Sequence, residues 1–428
     1  MSVHRLPPIA VVAPYPEGAI AALGRHWSES GHLAAMYTPS RRFARTMSHV
    51  SSLARRDGLS KRLSRGLTAI SPTVEVAPHL ELLRLAGRLG VPIAPFVQME
   101  SMKRTFDRVV SRKITSTPQI VVGMPGACRE TFSTHPNLHR VFHEVDAHPQ
   151  AHNAALLQHY KPEEVSNELY SSRLIDTIQQ ELSLADTVLV PSTIVATQML
   201  EHGIPARRLL RVPYGVDFST FAPIRLEHDV NESARPNLLY VGQISNRKGI
   251  RFLLDAVRGQ NVNLRLVGPV VKQELIQDLP SNVQYLGVLP HPDVNRALAM
   301  ADAFVFPSIE DACPLAVIEA AGAGLPIIAT TTTGSAELLD PADVTLVEPG
   351  SSQQLRAAIK LVSPLKFDER AERSLRQRDR ASSGEIRDWV GYAVAVSEGL
   401  ETAWLQSTKQ LAQDSPETSD GSRGMDHA

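Results

Sequence analysis

Two carboxylates, Asp311 and Glu319, flank a loop and the start of a helix in the stretch PSIEDACPLAVIEAAGAGLPIIATTTTGSAELL, residues 307–339. The stretch predicts a buried strand, a polar loop, a helix that begins at a proline, a second buried strand, and a turn opening another helix. A helix N-terminus offers unpaired N–H groups and partial positive charge, which suit a diphosphate. A carboxylate inside such a helix can accept hydrogen bonds from vicinal hydroxyls. The pattern therefore predicts a site for a nucleoside-diphosphate sugar.

A second candidate segment is VGQISNRKGIRFLLDAV, residues 241–257. Its strand ends at Gly242, and a short loop leads to Arg247 and Lys248 before an apolar-periodic helix. A lysine at a loop-to-helix junction can contact phosphate as a point charge. The phosphate-binding pattern GxxxxGK[ST] is absent, so this is not a Walker A loop.

Both segments also have a purely structural interpretation. Asp311 could be an acid near a helix N-cap and Glu319 a surface residue, while Arg247 and Lys248 could be a solvated helix start. The apolar neighbours of Glu319 in AVIEAAGAG favour the ligand interpretation. They predict a mostly buried helix, in which a carboxylate is costly unless something pairs with it.

Short apolar runs alternate with helical-period stretches in both halves of the chain, which predicts two doubly wound α/β domains. The predicted strands are 9–14, 33–37, 119–123, 140–144, 187–191, 237–242, 264–268, 283–287, 303–307, 326–330 and 344–348. The predicted helices of the first half are 18–31, 75–90, 164–184 and 193–203.

These elements group into five segments. Residues 1–224 form the first domain, 225–236 a polar linker, and 237–384 the second domain. A further helix occupies 385–408, and the polar tail 409–428 is expected to be disordered.

Composition narrows the class of protein. The 428 residues are 43% hydrophobic and 21% charged, with a formal net charge of −1, which indicates a soluble globular protein and disfavours a general nucleic-acid binder. Cys128 and Cys313 have no metal-type spacing and form no disulfide framework. No apolar run is long enough to span a membrane, and the N-terminal apolar stretch is too short for a signal peptide. We expect a cytoplasmic protein.

Together with ADTVLVPSTIVATQMLEHGIPARRLLRVPYGVDFSTFAP, residues 185–223, these segments resemble the family 4 glycosyltransferases, also called glycosyl transferases group 1. The resemblance is strongest over residues 181–339. It implies a GT-B fold, in which two Rossmann-like domains face each other and a C-terminal helix crosses back to the first. It also implies a retaining enzyme of cell-envelope polysaccharide or glycoconjugate synthesis. Such an enzyme moves a hexosyl-type group from a nucleotide-diphosphate sugar to a glycan, lipid-linked or small-molecule acceptor.

The resemblance assigns donor roles to individual residues. Glu319 matches the glutamate that binds the ribose hydroxyls, and Asp311 occupies the position that contacts the transferred sugar. Lys248 matches the lysine that neutralises the donor diphosphate. Backbone amides around Leu315 and Ala316 would meet the sugar and the phosphates.

On the first domain, Gly18 matches a glycine that lets the backbone approach the same phosphates. Glu144 and His148, in FHEVDAHPQAH, fall where the family places acceptor-side catalytic residues. The alternative for His148 is a solvated loop histidine, because five histidines lie between positions 135 and 152. A metal site in this cluster is a further alternative, but no ligand spacing supports it.

The sequence departs from the family pattern at several positions. Asp311 replaces a glutamate, and Gln243 replaces the arginine that follows the strand-end glycine, here Gly242. Arg247 could supply the missing charge. The segment ACP replaces a glycine-rich one, which should narrow the sugar pocket. A sugar-nucleotide epimerase or hydrolase, or a non-catalytic nucleotide-sugar-binding protein, therefore remains an alternative.

Two expectations concern partners. No Asp-x-Asp metal motif lies at a strand end, so we expect a metal-independent reaction with no cofactor beyond the nucleotide-sugar co-substrate. Residues 41–65 hold eight basic residues against one aspartate, which predicts peripheral contact with an anionic membrane, the inner face of the cell membrane for a cytoplasmic protein. A solvated basic helix face is the alternative.

Overall fold

Seven parallel strands form the sheet of the first domain, in the order β3-β2-β1-β4-β5-β6-β7. The structure, a computed structural model, describes residues 6–15, 17–39, 70–76, 95–218, 220–221, 235–384 and 386–414. The strands are β1 (Ile9–Val12), β2 (Leu33–Thr38), β3 (Thr73–Glu75), β4 (Ile120–Gly123), β5 (His139–His143), β6 (Thr187–Val190) and β7 (Leu209–Arg211).

Six parallel strands form the second sheet, in the order β10-β9-β8-β11-β12-β13. They are β8 (Asn237–Val241), β9 (Asn263–Val267), β10 (Val283–Tyr285), β11 (Ala303–Phe306), β12 (Ile327–Thr330) and β13 (Val344–Val347). In each sheet, βαβ units run outward in both directions from a central strand pair, which is the doubly wound arrangement.

Helices connect the strands of both sheets. In chain order they are α1 (Gly18–Glu29), α2 (Pro95–Ser111), α3 (Arg129–Thr134), α4 (Pro149–His159), α5 (Pro162–Val165), α6 (Ser172–Leu184), α7 (Thr193–Glu201), α8 (Ile250–Val257), α9 (His291–Ala299), α10 (Leu315–Gly322), α11 (Ser352–Ile359), α12 (Phe367–Ser382) and α13 (Trp389–Asp414). Short 3₁₀ turns lie at Ala206–Arg208, Gln273–Ile276, Gly334–Leu338 and Pro341–Asp343.

Strand β1 shows why helices cover both faces of the first sheet. Ile9 and Val11 pack in one apolar cluster with Trp27, whereas Ala10 and Val12 pack in another on the opposite face. All four strand residues are fully buried. Successive strand side chains point to opposite faces, so an all-apolar strand requires two covered faces.

Two predictions about helices need correction. The predicted helix 164–184 is interrupted, because the Ser171 hydroxyl accepts a hydrogen bond from the Leu174 N–H at 3.1 Å and begins α6 there. Helix α13 continues to Asp414, so the first six residues of the tail predicted to be disordered are helical. Lys409, Gln410 and their neighbours favour the helical state.

Helix α13 crosses back from the second domain to the first, as predicted. The Trp27 indole N–H on α1 donates to the Ser397 hydroxyl at 2.9 Å. Tyr392, Val396 and Leu400 are fully buried in the same apolar cluster as β1.

The central strand pairs, β1–β4 and β8–β11, are the points where each sheet reverses its winding direction. Ligands of doubly wound proteins bind beside the carboxyl ends of such strands. Gly18 follows β1, Lys248 follows β8 and Asp311 follows β11. Several predicted segments lie outside the described residues: the basic segment 41–65, residues 77–90 of the predicted helix 75–90, linker residues 225–234 and tail residues 415–428. Glu75, the first residue of that predicted helix, is instead the last residue of β3.

Candidate functional site

Lys248 lies at the carboxyl end of β8, just before α8. Gly249 makes this placement possible, because it has a φ of +67° and a Cβ there would lie 1.9 Å from the Pro307 carbonyl oxygen. The start of α8 therefore packs directly on the end of β11. Lys248 is 7% exposed and its ammonium forms an ion pair with the Asp311 carboxylate.

Asp311 is held by its own backbone in the loop after β11. Its N–H donates to the Thr332 carbonyl at 3.3 Å, and its carbonyl accepts from the Gly334 N–H at 2.9 Å. The structure therefore brings two predicted site residues, Lys248 and Asp311, together from separate loops.

Helix α10 begins immediately beyond this pair, with Pro314 at its N-cap. Leu315 and Ala316, in its first turn, are partly exposed. Backbone N–H groups of a first helical turn have no partner within the helix. Glu319, one turn further along the helix, is also partly exposed, so its side chain retains solvent contact and does not lie in the core.

Gly242 and Gln243 lie at the same sheet edge. A Cβ at Gly242 would meet the Tyr240 hydroxyl at 2.5 Å, and a Cβ at Gly268 would meet the Gly242 carbonyl oxygen at 1.8 Å. The glycines thus allow two loops to approach closely. Gln243 is exposed, and its carbonyl accepts from the Tyr240 hydroxyl at 2.7 Å.

Arg247 faces the first domain. Its guanidinium lies 3.6 Å from the Asp146 carboxylate and 3.7 Å from the Glu310 carboxylate. Burial lowers the pKa of Arg247, but these carboxylates outweigh that effect and raise it. The charge predicted to replace the missing family arginine is therefore engaged at the domain interface.

Glu310 also faces the first domain. It is 3% exposed, and its carboxylate lies 2.6 Å from His152 Nδ1. The other ring nitrogen, Nε2, lies 2.8 Å from the Glu168 carbonyl oxygen. Burial raises the pKa of Glu310, but the His152 hydrogen bond and the Arg247 charge lower it below its usual value.

Glu168 holds the loop that carries Lys248. Its carboxylate accepts hydrogen bonds from the Asn246 N–H at 3.1 Å and the Arg247 N–H at 2.8 Å. The Tyr160 hydroxyl donates to the Asn246 carbonyl at 3.0 Å. The first domain therefore fixes this loop through its backbone.

His148 and Glu144 lie inside the first domain. His148 is 2% exposed and stacks on His202 with a centroid distance of 3.8 Å. Burial, followed by the His202 charge, lowers the pKa of His148 to about 4, so its ring is neutral near pH 7. Burial raises the pKa of Glu144 to about 8, although the Asp146 and Val145 N–H groups donate to its carboxylate.

Lys103 and Asp146 are charged residues beside the loops after β4 and β5 that the sequence analysis did not single out. Lys103, on α2, donates to the Pro125 carbonyl at 2.9 Å in the loop after β4, and its Nζ lies 5.9 Å from the Tyr15 ring centroid. The Lys103 side chain is partly exposed. Burial lowers its pKa, although nearby carboxylates, Asp146 among them, act in the opposite direction. Asp146 has a 44% exposed side chain. The loops after β1 and β4 could have indicated this region, because they flank the winding reversal.

Gly18 begins α1 with a φ of +58°, and a Cβ there would have no heavy atom within 4 Å. Space is therefore open beside the predicted phosphate-facing glycine. Across the described ranges, no group of three or more His, Cys, Asp or Glu side chains could hold a metal ion. None of the helices in that part of the chain is long and apolar enough to cross a membrane.

The comparison with known families decides the class of the second domain. Residues 235–363 match the family model for glycosyl transferases group 1. The second domain is a group 1 glycosyltransferase domain. The resemblance expected from the sequence is confirmed, because the matched curated relatives are also glycosyltransferases.

The relatives of this glycosyltransferase domain align over limited lengths. A putative colanic acid biosynthesis glycosyltransferase, WcaL of Escherichia coli (strain K12), is 26% identical over 56% of this chain and 58% of its own. A GDP-mannose-dependent alpha-mannosyltransferase of Mycobacterium tuberculosis (strain CDC 1551 / Oshkosh) is 28% identical over 39% of this chain and 44% of its own. The chain thus spans about half the length of these curated relatives.

Solved structures extend the likeness of fold to both domains. Sucrose-phosphate synthase from Thermosynechococcus elongatus superposes with a TM-score of 0.64 at 18% identity, covering 96% of this chain and 100% of that one. The predicted GT-B fold is confirmed.

Proposed function

We propose that this protein is a retaining glycosyltransferase that moves a hexosyl-type group from a nucleoside-diphosphate sugar to a glycan, lipid-linked or small-molecule acceptor. The observation that carries the proposal is the Lys248–Asp311 ion pair, beside the N-terminus of α10 and at the carboxyl edge of the second sheet. A cation, a free helix N-terminus and a hydroxyl-accepting carboxylate are what a diphosphate sugar requires.

Donor binding would exchange partners within this pair. The donor diphosphate replaces Asp311 as the partner of Lys248, which frees the Asp311 carboxylate to accept hydrogen bonds from the transferred sugar. Leu315 and Ala316 donate backbone N–H groups to the phosphates, and Glu319 accepts from the ribose hydroxyls. The partial exposure of these three residues supports these roles.

In the transfer step, the bond between the anomeric carbon and the diphosphate oxygen breaks. The acceptor hydroxyl forms a bond to that carbon on the same face, and its proton passes to the departing phosphate oxygen. Lys248 and the start of α10 stabilise the negative charge that develops on the leaving group, and no metal is needed. Closure between the domains excludes water, which would otherwise hydrolyse the donor.

The acceptor occupies the first domain, opposite the donor. Asp146, Lys103 and Tyr15 are the groups there that retain solvent contact and could orient acceptor hydroxyls. His148 and Glu144 lie behind this surface, where their burial supports an indirect role in shaping it. Contact of residues 41–65 with anionic lipid remains a prediction.

Binding of nucleotides tests the donor site. Thermal-shift measurements against UDP-, GDP- and ADP-sugars should identify a ligand that raises the unfolding temperature, because a ligand that binds only the folded state stabilises it. Lys248→Ala and Glu319→Ala should each lower the affinity for that ligand, measured by calorimetry, by about tenfold or more. Lys360→Ala, at an exposed position just after α11, is the matched control.

The outcomes separate the possible functions. Unchanged affinity in both site variants would refute the donor site. Release of free sugar at the full turnover rate without acceptor would identify a hydrolase. Tight binding without transfer to any acceptor in a broad panel would identify a non-catalytic nucleotide-sugar-binding protein.

A further inference from the structure

We propose that His152 of the first domain and Glu310 of the second are positioning residues, which together hold the donor loop in place. The donor loop is residues 245–248, which carries Lys248. The inference rests on the proposed function, since it assigns a purpose to the same Lys248. It concerns residues that contact neither donor nor acceptor in the proposed reaction.

A closed ring of contacts carries the proposal. The Glu168 carboxylate accepts from the Arg247 N–H at 2.8 Å, and the Arg247 guanidinium lies 3.7 Å from the Glu310 carboxylate. Glu310 then contacts His152 Nδ1 at 2.6 Å, and His152 Nε2 contacts the Glu168 carbonyl oxygen at 2.8 Å. The ring joins two segments of the first domain to two loops of the second.

The chain order of these residues connects the ring to the site. Arg247 and Lys248 are consecutive, as are Glu310 and Asp311. The first member of each pair contacts the first domain, Arg247 at Asp146 and Glu310 at His152, and the second member belongs to the Lys248–Asp311 ion pair. Because a peptide unit is rigid, fixing the first member restricts the second.

Burial makes the ring costly to break. The side chains of His152 and Glu310 are 5% and 3% exposed. Both ring nitrogens of His152 face oxygen atoms, the Glu310 carboxylate at 2.6 Å and the Glu168 carbonyl at 2.8 Å, so the buried ring is held on two sides. Replacing His152 would leave the buried Glu310 carboxylate beside the more distant Arg247 guanidinium, at 3.7 Å.

Other contacts between the domains keep the donor loop within reach of the ring. The Asn246 side-chain amide donates to the Glu164 carbonyl at 2.9 Å, and the Arg251 guanidinium contacts the Glu164 carboxylate at 2.9 Å. These contacts should hold the domains together when the ring alone is weakened. A ring variant should therefore change the donor loop and leave the fold intact.

Calorimetric binding of UDP, GDP and ADP tests the proposal, using whichever binds the unmodified protein most tightly. His152→Ala and Glu310→Gln should each reduce affinity about tenfold, and the double variant should be little weaker than the weaker single variant, because both disrupt one ring. His152→Gln should recover part of the affinity, since its amide N–H groups can donate to Glu310. His135→Gln, which alters a contact to the Ser111 carbonyl elsewhere in the first domain, is the matched control.

Hydrogen exchange supplies a readout that needs no ligand. The amide of Arg247 should exchange several-fold faster in His152→Ala than in the unmodified protein, with unchanged circular dichroism. Equal exchange and equal nucleotide affinity in both single variants would overturn the positioning role. Failure of the unmodified protein to bind any of the three nucleotides would instead count against the proposed function, and the exchange measurement would still decide the role of the ring.

Discussion

Glu310 and Asp311 are adjacent in the chain, yet their carboxylates have partners in different domains. Glu310 contacts His152 of the first domain, whereas Asp311 pairs with Lys248 of the second. Together they connect the interface between the domains to Lys248, the cation proposed to bind the donor diphosphate. The contact between the domains at Glu310 therefore lies one residue from Asp311 of the proposed donor site.

Asp311→Asn should separate binding from transfer. The substitution removes the charge that competes with a diphosphate for Lys248, so a nucleoside diphosphate without sugar should bind several-fold more tightly. Transfer should become at least about tenfold slower, because the contact to the moving sugar is weakened. Calorimetry with the diphosphate and a transfer assay measure the two effects.

Asp293→Asn, at an exposed position on α9, controls for the loss of one negative charge. Weaker diphosphate binding in Asp311→Asn would contradict the exchange of partners at Lys248.

Glu144 should give the protein a pH-dependent stability. Its pKa is about 8 in the folded protein against an ordinary value of 4.5, so the folded state retains a proton that the unfolded state has lost. The free energy of unfolding should therefore fall as pH rises between these values, by at most about 1.4 kcal/mol for each pH unit, and level off above them.

Glu144→Gln removes this ionisation and keeps an acceptor for the Val145 and Asp146 N–H groups. Urea unfolding at about pH 5 and about pH 8 should show the variant gaining stability relative to the unmodified protein as pH rises. Glu201→Gln, at an exposed helix end, should show no such trend. A constant difference for Glu144→Gln would mean that its carboxyl group ionises alike in both states.

Gly249→Ala should destabilise the second domain. The added methyl group would meet the Pro307 carbonyl oxygen at 1.9 Å, and an alanine would also have to adopt a φ of +67°. Gly259 has a similar φ of +71° but no heavy atom within 4 Å of its Cβ position. Gly259→Ala should therefore cost only about 1 kcal/mol of backbone strain, and Gly249→Ala at least about 2 kcal/mol more.

Chemical denaturation of the two glycine variants measures the difference directly. Equal losses of stability would show that α8 can move away from β11 without cost, and that Lys248 is not fixed by this contact.

The sequence predicted what short-range patterns determine. The sequence indicates Lys248 and Asp311 because each follows an apolar strand and precedes a helix, and parallel strands bring such positions to one edge. The His152–Glu310 contact joins residues 158 positions apart, and nothing local to either residue specifies the other.

The sequence does not predict the position of Lys103, for a similar reason. This lysine lies on α2, a helix not predicted from the sequence, and tertiary packing alone brings it to the loop after β4. The family resemblance singles out His148 and Glu144 by their positions, but their burial depends on the three-dimensional neighbourhood, which one sequence does not reveal.

Helix α13 has a consequence for how the protein is made. Tyr392, Val396 and Leu400 complete the apolar cluster that contains β1, although the whole second domain lies between them in the chain. A ribosome translating this protein releases the second domain before it supplies the residues that finish the first core. The apolar cluster on that face of the first sheet therefore remains incomplete until α13 has been synthesised.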